Sequence, residues 1–97
     1  MTDDELGRWW PDLGAVVAEL RRADQPGVAD QLIDAVRAGS TSGEILGGVG
    51  AVLRPQRALR SRLSDSAKKG WDAVIAEVDR AFPAARALQR IDLVKKP

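Results

Sequence analysis

Three glycines in four positions, Gly47, Gly48 and Gly50, lie inside a stretch otherwise written as a helix, and they constrain this chain more than any other feature. Thr41 and Glu44 have the spacing of a capping box, in which each side chain satisfies the other residue's free backbone N–H. At about 100° per residue, Ile45, Val49, Val52 and Leu53 fall on one side with Leu46 at its edge, while Gly47, Gly48, Ala51 and Arg54 fall on the other. An interior glycine costs a helix about 1 kcal/mol relative to alanine. Three of them require a compensating contact, and a bare backbone supplies one by letting another helix approach closely. The spacing therefore predicts a central helix over about 41–54, ending before Pro55 because a residue preceding proline is pushed out of helical geometry. Its structural glycine face (Gly47, Gly48, Gly50) is expected to pack on the segment 10–24 or 65–82. The same face also admits two other uses, as a nest of N–H groups for an anion or as a groove for a partner. The Lys-Ser/Thr pair and preceding strand of the usual phosphate loops are both missing.

The remaining elements follow the same periodicity. Thr2 and Glu5 have capping-box spacing and open a short turn holding Leu6 and Trp9. Pro11 cannot bond back to Gly7, so the helix kinks there or restarts with Pro11 in its first turn. Leu6, Trp9, Trp10, Leu13, Val16, Val17 and Leu20 keep one helical face, predicting a helix over about 10–24. On that wheel Trp9 lies near the axis of the stripe and Trp10 near its edge. Asp24-Gln25-Pro26-Gly27 is a turn by composition. A helix over about 27–38 follows, carrying Val28, Ala29, Leu32, Ile33, Ala35 and Val36 inward, with Gly39 placed for a left-handed C-cap. A helical turn resumes over 56–62. Ser64 is placed as N-cap for a helix over 65–82 whose apolar stripe is Ala67, Trp71, Val74, Ile75, Val78 and Phe82. Leu88, Ile91, Leu93 and Val94 suit a short fifth helix after Pro83. No period-2 segment competes, so the expected fold class is all-α, a compact bundle of four helices with a short fifth at the C-terminus. Ninety-seven residues support one core, which makes 1–97 a single domain with 1–5 and 95–97 frayed.

Composition narrows the chemistry. The chain has neither cysteine nor histidine, which removes thiolate chemistry, the commonest general base and the commonest zinc ligand. No nucleophile has a base beside it, and no carboxylate pair has a reason to hold split pKa values. The expectation is a non-enzyme with no cofactor and no metal. The acidic opening Thr2-Asp3-Asp4-Glu5 is the reverse of a signal peptide, and no apolar run approaches the length of a membrane span. A cytoplasmic protein without a membrane partner is expected.

The net charge of +1 conceals a gradient. Residues 1–34 carry eight acids and three bases, and residues 35–69 carry seven bases and two acids. Asp24, Asp30 and Asp34, with Trp10 as an aromatic anchor, are the candidate residues for binding another protein, since electrostatic steering speeds capture of a basic target. Arg54, Arg57, Arg60 and Arg62, followed by Lys68 and Lys69, are the alternative surface, for nucleic acid or another polyanion. The chain's pI of about 8.2 lies below the range of nucleic-acid-binding domains, and no Phe or Tyr is interleaved for stacking. A solvated face, or pairing of these arginines with Asp24, Asp30 and Asp34, is the plainer expectation. A homodimer burying Trp10 and the glycine face is a third reading, so the pattern leaves monomer and dimer undecided.

Ala29-Asp30-Gln31-Leu32 followed by Leu46-Gly47-Gly48-Val49-Gly50-Ala51 resembles a family of small, functionally uncharacterised bacterial helical proteins with a Gly-Gly-Met-Gly-Ser motif in the third helical segment. The resemblance covers roughly residues 9–54. Val49 stands where the family has Met, Ala51 where it has Ser, and Arg54 where polar or acidic residues are expected. The resemblance implies a partner-binding role, such as that of an immunity protein occluding a bacterial toxin, and implies no chemistry.

Overall fold

Each long helix begins on a side-chain cap or on a proline in its first turn. The computed structural model describes residues 1–82, which are helical with no strand among them. Helix α1 (Asp3–Trp9) opens on a complete Thr2–Glu5 capping box. Helices α2 (Pro11–Arg22) and α3 (Pro26–Ala38) instead start with proline in the first turn, where its missing N–H is not needed. Helix α4 (Ser42–Leu53) is capped by the Thr41 hydroxyl, which accepts from the Glu44 N–H at 3.2 Å. The return bond of that box goes one residue further out, from the Ser40 N–H to the Glu44 carboxylate at 2.9 Å. A 3-10 turn (Arg54–Gln56) and the single-turn helix α5 (Arg57–Arg60) lead to α6 (Asp65–Ala81), capped by Ser64. The fifth helix expected after Pro83 lies outside the described residues.

α2 packs on both α3 and α6, α3 packs on α4, and α4 closes back on α6, while α1 lies against α2. The enclosed core takes Leu6 from α1, Leu13, Val16, Val17 and Leu20 from α2, and Ala29, Leu32, Ile33 and Val36 from α3. Val49 and Leu53 from α4 join Leu63, Ala67, Trp71 and Val74 to complete it. Burying each of the larger side chains stabilises the fold by about 1.5–3 kcal/mol relative to leaving it in water.

Several expectations are corrected. Residues 3–5 are not frayed; they form the first turn of α1. Of the two outcomes expected at Pro11, the restart is the one observed: Trp10 leaves helical geometry (φ −138°, ψ 82°) and α2 begins at Pro11, so the stripe through residues 6–20 is shared by two helices. That break exchanges the roles of the adjacent tryptophans. Trp9, expected near the axis of the stripe, is 56% exposed, while Trp10 is half-buried against the core. Gly39 is not a left-handed cap, since its backbone is extended. A Cβ there would sit 2.5 Å from Ile45 Cγ1 and 2.9 Å from the Ile45 nitrogen, so close approach selects glycine. The left-handed residue is Asp24 (φ 60°), an amino acid that tolerates this region better than most. Arg54 keeps helical geometry despite preceding proline, because the chain tightens into a 3-10 turn around Pro55 and does not break.

α4 is continuous through its glycines, which face the chain's own helices. A Cβ on Gly50 would meet Val78 Cγ1 of α6 at 2.7 Å, and one on Gly48 would meet Ala35 Cβ of α3 at 3.2 Å. One on Gly47 would touch the Phe82 ring at 3.4 Å. The face thus packs on α6 as expected and on α3, not on α2.

Candidate functional site

Charged side chains on two sides of the molecule are drawn into ion pairs between helices. On the acidic side, Arg21 of α2 reaches Asp3 of α1 with two nitrogens, the longer bond at 3.1 Å, and Asp30 of α3 at 2.9 Å. These bonds, Asp3 first, hold the guanidinium well above its ordinary range. Asp30 is exposed, and its pair with Arg21 ties α3 to α1 and α2. Asp24 and Asp34 are exposed and make no ion pair among the described residues. The three acids grouped in the sequence thus divide into one that is ion-paired and two that are not.

On the basic side, Arg54, Arg57 and Arg60 line one cleft of about 450 Å³ with Trp71, Asp72, Ile75 and Asp79. Arg62 is not part of its lining. The anticipated partners Asp24, Asp30 and Asp34 are not the ones used. Arg54 pairs with Asp79 at 2.6 Å, and Arg60 holds Asp72 through two bonds at 2.8 and 2.6 Å. Both carboxylates come from α6, which runs beside this segment. Asp72 and Asp79 are seven residues apart, two turns of helix, and Arg54 and Arg60 are six apart. This matched spacing was present in the sequence and points to the pairing. Two of the three cleft arginines are thus neutralised, leaving Arg57 as the cation without an ion pair among the described residues.

The Arg60 hydrogen bonds hold the Asp72 carboxyl below its ordinary value of 3.8. A depressed carboxyl contributes stability that is present above the unfolded value and is lost as pH falls through the folded one. Urea melts of wild type and Asp72→Asn are expected to differ by a constant amount above about pH 5, with the difference shrinking below about pH 4. A difference that grows on acidification contradicts the pairing.

The third surface was not anticipated as a unit. Trp9, Trp10, Ser42, Ile45, Leu46 and Glu77 line an open hollow of about 270 Å³ where the α1–α2 break meets the start of α4 and the last turns of α6. The two indoles meet edge to face, centroids 6.1 Å apart and planes at 82°. Trp10 Nε1 is buried with no acceptor among the described residues, and a buried donor left unpaired costs about 1–3 kcal/mol. Glu77 is half-buried and makes no ion pair among the described residues. Sequence reasoning singled out Trp10 but missed Glu77, Ile45 and Leu46 as its neighbours. Glu77 sits just off the Val74–Val78 stripe of α6, and only the packing of α4 on α6 brings it to the tryptophans.

Among the described residues no three carboxylates cluster to hold a metal ion, and no helix is long and apolar enough to cross a membrane. No ionisable side chain is buried among the described residues. Comparison with known proteins found no match: no family model, no curated protein and no solved structure matches this chain.

Proposed function

We propose that this chain is a non-enzymatic, cytoplasmic protein-binding module whose scaffold is a bundle of four principal helices. The supporting observation is the Trp9–Trp10 hollow. A tryptophan more than half exposed stands with a second whose donor has no acceptor, and with a carboxylate that has no ion pair, among the described residues. Aromatic anchors are characteristic of binding hot spots. The excess of acid in residues 1–34 favours a basic partner through steering, with Asp24 and Asp34 as the charges that have no ion pair among the described residues and Asp30 paired with Arg21. An immunity protein occluding a bacterial toxin is the specific form that the motif resemblance supports. A polyanion-binding role through Arg54, Arg57, Arg60 and Arg62 is less favoured, because Asp72 and Asp79 already occupy two of these guanidiniums.

The test is affinity capture from the source lysate with wild type and an Asp24→Asn/Asp34→Lys variant as parallel baits, with and without nuclease. Asn is chosen at position 24 because it tolerates the left-handed backbone there. The expected result is a protein retained by wild type, insensitive to nuclease, and captured several-fold less by the variant at low salt. Retention that vanishes with nuclease moves the function to the arginines.

A further inference from the structure

The hollow has the components of a site for an organic cation. Its two indoles pack edge to face with centroids 6.1 Å apart, so a group in the hollow would lie against the ring surface that this contact leaves free. A cation within about 6 Å of an indole face is attracted by the ring quadrupole, and tryptophan is the strongest of the aromatic partners. Glu77 adds a formal negative charge to a lining otherwise made of Trp9, Trp10, Ser42, Ile45 and Leu46. A half-buried carboxylate without an ion-pair partner is less screened than a solvated one and favours a cation beside it. Ile45 and Leu46 supply apolar surface for the methylene stem that carries an ammonium or guanidinium.

We propose that the Trp9–Trp10–Glu77 hollow binds an arginine or lysine side chain of a basic peptide segment, the cation against the indoles and Glu77 and its methylene stem on Ile45 and Leu46. This deepens the protein-binding reading and rests on it.

The experiment uses the full chain and a blocked leucine–arginine–leucine tripeptide, followed by tryptophan fluorescence. The same peptide with citrulline in place of arginine keeps the shape and removes the charge. Wild type is expected to saturate with the arginine peptide and to bind the citrulline peptide about tenfold more weakly. Trp9→Leu, which keeps an apolar side chain at an exposed position, and Glu77→Gln are each expected to weaken binding about two- to fivefold. Far-UV circular dichroism should be unchanged in both. Equal binding of the two peptides, unchanged affinity in Trp9→Leu, or no saturable response overturns the assignment. If the tripeptide fails while Asp24→Asn/Asp34→Lys still weakens capture of the partner, the hollow assignment alone falls. If the tripeptide binds as expected while the charge variant captures normally, the hollow stands and the acidic surface is wrong.

Discussion

Replacing Trp71 with alanine is expected to destabilise the fold by about 3–5 kcal/mol, the range for removing a large aromatic from a packed core. Trp71 is 2% exposed, and it belongs to the cluster that α6 shares with α2 and α4. Domains of this size have total stabilities of about 5–15 kcal/mol, so Trp71→Ala leaves a marginal protein. Trp9→Ala should cost only about 0.5–1.5 kcal/mol, the size of the edge-to-face pair it makes with Trp10. Equilibrium urea unfolding of the two variants checks the contrast. Comparable losses would contradict the opposite placements of the two side chains.

Gly14→Ala carries the second large effect, and its sign runs against helix propensity. On an open helix surface the change would gain about 1 kcal/mol. In α2 the new Cβ would lie 2.5 Å from the Gly7 Cα and 3.1 Å from its nitrogen, and backbone cannot rotate aside as a side chain can. α1 would have to move off α2, and overpacking of this kind costs about 1–3 kcal/mol. Gly70→Ala meets a comparable obstacle, the Asp12 carbonyl oxygen at 2.7 Å. Gly7→Ala is the internal control: nothing lies within 4 Å of its Cβ position, so it should be neutral or stabilising by up to about 1 kcal/mol. Thermal melts of the three variants should show Gly14→Ala and Gly70→Ala below wild type and Gly7→Ala at or above it.

These glycines show where the sequence was readable and where it was not. Local signals, capping residues, prolines and 3.6-residue periodicity, located α2, α3, α4 and α6 to within about two residues, while α1 was read only as a short turn. Gly47, Gly48 and Gly50 drew attention by clustering, and their contact role is what the packing displays. The isolated glycines 7, 14 and 70 carry no such signal, although two of them face the tightest backbone approaches. Their meaning depends on which helices touch. The tryptophan pair was misassigned for a related reason: one wheel was drawn through Trp10, where the backbone turns. Asp72 and Asp79 match the spacing of Arg60 and Arg54 in the sequence, but only the fold brings the Arg54–Arg60 segment within ion-pair reach of α6. Glu77 beside Trp9 and Trp10 was not readable, since three segments distant in the chain meet there.

The measurement that tests the central claim most directly is amide and indole shift mapping of the isotopically labelled chain, titrated with the arginine tripeptide and separately with a short oligonucleotide. A protein-binding module with its recognition surface at the tryptophan hollow predicts that the peptide perturbs the Trp9 and Trp10 indoles, the backbone of Ser42–Leu46 and Glu77. The oligonucleotide should leave the chain unchanged at physiological salt. Perturbations confined to Arg54–Lys69 with the oligonucleotide, and none with the peptide, would contradict the account and assign the function to the arginine cleft.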